Sequence, residues 1–214
     1  MKTKCAIWGA GGHAKVVAEI LRLNGYEVVG FIDDVNADRK DREFYGSVVL
    51  GGREVLDDLL RSGVNKAVVG FGVNRLRLKI AGELAACGFE LVSAIHPGAT
   101  CASDVFIGEG AVVASGAVIG PSTKVGRHAI VNTQASLDHD CVVGEGAHIG
   151  PGAIVTGVVD VGECAWIGAG AVIADHKTVG ADSLVGAGAV VVEDVPPSVV
   201  VLGVPARVTR KISS

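Results

Sequence analysis

Seventeen positions between Ile95 and Val191 recur at every sixth residue, and sixteen of them are aliphatic, Cys101 being the exception. Four residues after each stands a mostly small side chain, Ala in ten of the seventeen hexads. A period of six matches neither the 3.6 of a helix nor the alternation of a half-buried strand. It is the mark of a structural repeat. The physical reading is a β-solenoid, in which one branched residue per hexad fills a narrow interior and a small one fits the tight space beside it. Gly108, Gly120, Gly126, Asn132 and Gly144 directly follow the aliphatic residue, where a turning chain is expected to need permissive backbone.

The first 94 residues follow a different rule. Cys5 to Trp8 forms a short apolar run that ends in Gly9-Ala10-Gly11-Gly12-His13-Ala14. An amphipathic helix follows and stops at Gly25. Val28 to Ile32 reads as a second strand closed by Asp33-Asp34, Arg53 to Arg61 as a helix, and Lys66 to Phe71 as a third strand reaching Gly72-Val73-Asn74. A further helix runs from Arg75 towards Cys87, and Leu91 to Ile95 leads into the first hexad. Strands alternating with helices predict a small, Rossmann-like parallel sheet. The expected organisation is an α/β domain over 1–94 and an all-β solenoid domain over 95–214, with a C-terminal tail. Gly9, Gly11 and Ala14 fit the dinucleotide fingerprint loosely, with Asp33 at the ribose position. A glycine turn before a helix offers free N–H groups to phosphate, so the loop reads as an NAD site, a nucleotide-sugar site or only a tight turn. The sheet is short for a complete two-halved dinucleotide fold, which weighs against NAD.

No stretch approaches the roughly 20 apolar residues of a membrane span, and the N-terminus lacks a signal-peptide pattern. Cys5, Cys87, Cys101, Cys141 and Cys164 show no paired spacing, which suits reduced thiols in the cytoplasm. The net charge is −4, and no basic stripe interleaved with aromatics points to nucleic acid. Neither a membrane nor a nucleic-acid partner is expected.

The hexads resemble those of the hexapeptide-repeat acyltransferases, whose fold is a left-handed parallel β-helix with three hexads per triangular coil. Seventeen hexads then make between five and six coils, about 25 Å of stacked strands. The whole chain carries a closer resemblance. Ile7-Trp8-Gly9-Ala10-Gly11-Gly12-His13, Phe31-Ile32-Asp33-Asp34, Gly72-Val73-Asn74, Asn132-Thr133 and Asp138-His139-Asp140 are similar to motifs of the bacterial nucleotide-sugar acyltransferases. That family N-acetylates bacillosamine precursors and perosamine, and includes sialic acid O-acetyltransferase-like proteins. The resemblance implies acetyl-CoA as co-substrate and a UDP-, dTDP- or GDP-linked 4-amino sugar for surface glycans. It implies a homotrimer with acetyl-CoA between subunits. It assigns Gly11, Gly12 and His13 to the diphosphate, Asp33 and Asp34 to the nucleoside, and Asn74 and Asn132 to the substrate.

A thioester is already activated, so acetyl transfer needs the amine held in place, a base for its proton and stabilisation of the oxyanion. His139 with Asp140 has the composition of a base and its carboxylate partner. The family's acid is usually Glu, which leaves Asp138 and Asp140 both open as the partner. Stacking at eighteen residues puts Gly157 one coil beyond His139, where the missing side chain would admit the thioester and its pantetheine. His148 stacks with Val112, Ile130, Trp166 and Leu184. It is read either as packed and structural or, from the resemblance, as a donor near the acetyl group. His96, His128 and His176 read as surface or turn residues. Gly203-Val204-Pro205-Ala206 resembles the loop that closes over the CoA adenine. With it the resemblance assigns Ala187 and Pro205 to acetyl-CoA. Arg207, Arg210 and Lys211 form either a phosphate contact or a solvated tail. Three rivals remain: sugar O-acetylation, a non-catalytic nucleotide-sugar sensor, and a trimeric zinc enzyme of the gamma-carbonic-anhydrase type. For the last, His139 and His148 stand nine apart with no H-x4-H pair, so no metal is expected.

Overall fold

The computed structural model describes residues 2–212. The chain divides into two compact units, Met1–Pro97 and Gly98–Ser214. The first holds β1 (Lys4–Trp8), α1 (Gly12–Leu23), β2 (Glu27–Ile32), β3 (Glu43–Phe44) and β4 (Ser47–Gly51), then α2 (Leu56–Arg61), β5 (Lys66–Val69), α3 (Asn74–Cys87) and β6 (Glu90–Leu91). The sheet order is β3-β4-β2-β1-β5-β6. All pairs are parallel except β3–β4. The apolar runs of β1, β2 and β5 are buried between helices, as a parallel sheet requires. Chain order reverses between β1 and β5, which opens a crevice at the carboxyl ends of those strands.

Two local features depart from the sequence reading. Residues 43–51 form a hairpin that hydrophobic pattern leaves unassigned. Its turn places Tyr45 and Gly46 at φ 45° and 70°, the positive angles a tight hairpin needs. The helix expected from Arg53 begins as a 3-10 turn and becomes α-helical at Leu56.

The second unit contains sixteen two-residue strands, from Thr100–Cys101 to Val190–Val191, in three parallel sheets. It is the left-handed parallel β-helix that the family resemblance implies. Register steps by eighteen residues, Val113↔Val131 and Ile149↔Ile167 for example. From Val113 to Val191 every hexad residue points inward and is at most 2% exposed.

The turning chain places its permissive residue elsewhere than expected. The left-handed backbone falls three residues after the aliphatic, at every corner from Gly110 to Gly188. The glycines directly after the aliphatic serve close stacking instead. A Cβ on Gly126 would lie 2.7 Å from Glu145 N on the next coil, and one on Gly144 2.5 Å from Glu163 N. The C-terminal loop and tail are ordered as an antiparallel hairpin, Val199–Gly203 with Ala206–Lys211, with Val204 and Pro205 at its tip.

Candidate active site

Each coil runs through three strands and three corners. His139 stands at a corner between the second and third sheets. Its Nδ1 lies 2.9 Å from Asp140 Oδ2. A carboxylate only accepts, so Nδ1–H donates and the lone pair of the neutral ring is left on Nε2. Asp138 does another job: its Oδ1 accepts the backbone N–H of His139 at 2.8 Å. The hydrogen bond to Asp140, aided by the charges of both acids and opposed by partial desolvation, holds the imidazole above its ordinary pKa. The ring is about half exposed. Its floor is Gly157, where a Cβ would lie 2.7 Å from both Cε1 and Nε2. Val158 follows in left-handed backbone, φ 58°, and donates its N–H to His139 O at 3.0 Å.

His148 is on the first sheet, the face opposite the corner that bears His139. It is 5% exposed and packs at 4.5 Å against the Trp166 ring. Asn132 Nδ2 lies 3.0 Å from His148 Nε2, and Asn132 Oδ1 accepts the N–H of Thr133. An amide nitrogen only donates, so Nε2 is the accepting nitrogen here. The fold thus brings Asn132 to His148 and Asp140 to His139, and sets the two pairs on opposite sides of the prism. His128 occupies a corner as expected but is buried rather than on the surface, while His176 is exposed in its turn. Ala187 is exposed at a different corner of the prism, and Pro205 is at the hairpin tip. Among the described residues no three His, Cys, Asp or Glu side chains group as a metal site. Among the described residues no helix is long and apolar enough to cross a membrane.

In the first unit, a cavity of about 470 Å³ opens at the switch point. Its walls are Trp8, Ile32, Phe71, Leu76 and Ile80, with Gly11, Asp33, Asp34, Arg39 and Arg53 at its polar side. Both acids are already engaged. Asp33 Oδ1 accepts the N–H groups of Val35 and Asn36, and Oδ2 receives Arg39 at 3.0 Å. Asp34 Oδ2 accepts both Nε and Nη2 of Arg53, at 3.1 and 2.7 Å, and its Oδ1 accepts the Arg53 backbone N–H. Arg53 reaches Glu83 and lies over the Trp8 ring. The two acids therefore present two arginines to the cavity. Arg39 and Arg53 escape sequence reading because each belongs to the site only through a partner folded next to it.

Gly9 needs its glycine, at φ 117° and against Gly70 O, whereas a Cβ on Gly11 or Gly12 would meet nothing within 4 Å. That open surface lies at the N-terminus of α1. Ala14, the third fingerprint position, packs against Gly70. Gly12, His13 and Asn74 do not line the cavity. Burial, and then the charge of Arg77, push the His13 pKa down to about 4. Asn74 is buried and accepts from the guanidinium of Arg77, itself 1% exposed.

One sequence signal at the His139 corner is visible only once the coils are stacked. The small residues on that edge read Val105, Thr123, Cys141, Val159, Lys177 and Val195, with no Ala. The other two edges read Ala99, Ala117, Ala135, Ala153, Ala171 and Ala189, and Ala111, Ala129, Ala147, Ala165 and Ser183.

Residues 4–84 match the PglD N-terminal domain family. A point variant of perosamine N-acetyltransferase from Caulobacter crescentus, solved with CoA and GDP-perosamine, is 42% identical over 97% of each chain, with a TM-score of 0.93. The acetyltransferase domain of PglB from Neisseria gonorrhoeae, in complex with acetyl coenzyme A, is 40% identical over 98% of this chain and 100% of its own, at 0.90. WeeI from Acinetobacter baumannii is 26% identical over 97% and 100%, at 0.86. No curated protein matches the chain.

Proposed function

We propose a function from the premise that this chain belongs to the hexapeptide-repeat N-acetyltransferases of nucleotide-linked amino sugars. It is an acetyl-CoA-dependent enzyme that N-acetylates a nucleotide amino sugar. The acceptor is the 4-amino group of a nucleotide-linked deoxyhexose. The amine attacks the thioester carbonyl while His139 Nε2 takes its proton. The hydrogen bond to Asp140 fixes the tautomer and supports the imidazolium that forms. The carbonyl oxygen gains charge as the N–C bond forms. Among the described residues the N–H of Gly157 makes no hydrogen bond. It lies one coil beyond His139 and serves the oxyanion. Collapse breaks the C–S bond, and the proton on His139 passes to the leaving CoA sulfur.

The arginine-rimmed cavity takes the nucleoside, and the open glycines at the α1 N-terminus take the diphosphate. His148 and Asn132 face away from His139 in one protomer, so a site that uses both pairs draws them from two subunits of a homotrimer. The five cysteines are free thiols, which suits a reducing cytoplasm.

The observation that carries this reading is the His139–Asp140 pair seated over Gly157. The test supplies acetyl-CoA with UDP-, dTDP- and GDP-linked 4-amino sugars and follows thiol release and one acetyl group gained by the sugar. Wild type acetylates one nucleotide class. His139→Ala loses about 10² to 10⁴ in kcat with little change in KM. No acetylation of any class, or a His139→Ala variant with wild-type kcat, refutes it.

A further inference from the structure

We propose that Thr123 is a positioning residue for acetyl transfer: its hydroxyl is spliced into the corner that carries His139 and Asp140, and holds that corner open. The proposal rests on the reading of His139 as the base.

An ordinary corner of this helix closes on itself. The N–H of the small residue donates to the carbonyl three residues earlier, as in Ala147 to Gly144 at 3.2 Å and Ala135 to Asn132 at 3.0 Å. All ten corners on the other two edges, from Gly108–Ala111 to Gly186–Ala189, are closed in this way. The corner Asp138–Cys141 is not. The Cys141 N–H donates to Thr123 Oγ1 at 3.1 Å, and Thr123 Oγ1 donates to Asp138 O at 2.7 Å. One hydroxyl stands between the two groups that would otherwise bond, and the residues it brackets are His139 and Asp140.

Thr123 is fully buried, so water does not substitute for it. The next corner along the same edge, Thr156–Val159, is opened by a side chain from the coil before it: the Cys141 thiol donates to Thr156 O at 3.1 Å. That corner carries Gly157, the floor of the His139 ring. Both of these insertions lie on the edge that holds the reacting groups, where Ala is absent from the small-residue column; a third, Ser183 Oγ between Pro196 O and Val199 N–H at 2.6 and 3.3 Å, lies on another edge, in the last coil. The charged groups facing the ring are Asp138 and Asp140. The flanking corners Gly120–Thr123 and Thr156–Val159 carry no charge.

Removing the hydroxyl lets Asp138 O and Cys141 N–H bond directly, and the corner tightens to the form of the ten closed corners on the other two edges. His139 and Asp140 then shift relative to each other. Ala fills the same position of the hexad in ten hexads on the other two edges, so Thr123→Ala keeps the fold. The experiment measures kcat and KM for both substrates and the NMR titration of the His139 ring in wild type, Thr123→Ala and Thr123→Ser, with His139→Ala to assign the signal. In Thr123→Ala kcat falls about 10- to 100-fold at near-constant KM, as for a misplacement of up to about 1 Å. The His139 titration moves down towards the ordinary value of about 6.5. Thr123→Ser restores both. A folded Thr123→Ala with wild-type kcat and titration overturns the proposal, as does a Thr123→Ser that behaves like Thr123→Ala. The titration does not depend on turnover. If His139→Ala retains activity, the base assignment fails while the titration still tests Thr123.

Discussion

Gly157→Ala adds one methyl group, and the structure states what it strikes. The Cβ would lie 2.7 Å from Cε1 and Nε2 of His139. Non-bonded heavy atoms rest at about 3.5 Å or more, so the ring must retreat by about 0.8 Å. That is enough to lose its 2.9 Å hydrogen bond to Asp140. The backbone at Gly157 is not in the left-handed region, so alanine costs nothing in φ and the protein folds. A displacement of this size at the reacting group costs about 10²-fold in kcat. The pH profile moves as well. His139 must be neutral to accept a proton, so the rate rises with pH through its pKa. In wild type that limb lies above the usual value, first because of the Asp140 bond. In Gly157→Ala it falls towards about 6.5. The stacking of columns alone suggests that bulk at Gly157 blocks the thioester, but the imidazole is the first group met. The KM for acetyl-CoA therefore stays near wild type. Steady-state kinetics from pH 5.5 to 9 decide the matter, and a variant with wild-type kcat and an unmoved limb sinks the argument.

Two further outcomes follow from stability. His13, with its pKa depressed to about 4 by burial and Arg77, stays neutral in the fold while an unfolded chain protonates near 6.5. Stability is fully present above that value and declines as pH falls from about 6.5 to 4, by on the order of 3 kcal/mol. Urea unfolding of wild type and His13→Asn at pH 7 and pH 4.5 checks it: the variant loses less, and equal losses contradict the assignment. Val158 is the one β-branched residue among the left-handed corners between Gly110 and Gly188. Val158→Asn relieves about 1 kcal/mol of backbone strain and raises Tm, whereas an unchanged or lower Tm counts against strain there.

The hexads alone determine the second unit to a large extent. A repeating local environment demands the same side chain at the same place in every hexad, so the interior column and the buried ladder are legible from Val113 to Val191, while the eighteen-residue register is what the family resemblance implies. The glycine fingerprint likewise marks the end of β1, and His139 stands out as a histidine between two acids. What the tertiary structure decides is every relation between residues distant in sequence. Sequence placed the turn's freedom on the glycine after each aliphatic. The fold places it two residues later and uses that glycine for contact with the next coil, because the closeness of a neighbouring backbone is not written in one hexad. Asp33 and Asp34 read as ligand groups, but each is bound to an arginine that folding brings to it. His148 and His139 are nine residues apart yet face opposite ways, since half a coil turns the chain to the other side of the prism. Thr123 carries no motif at all. Its hydroxyl matters only because the coil above sets an open corner against it, and a partner fifteen residues away is chosen by stacking.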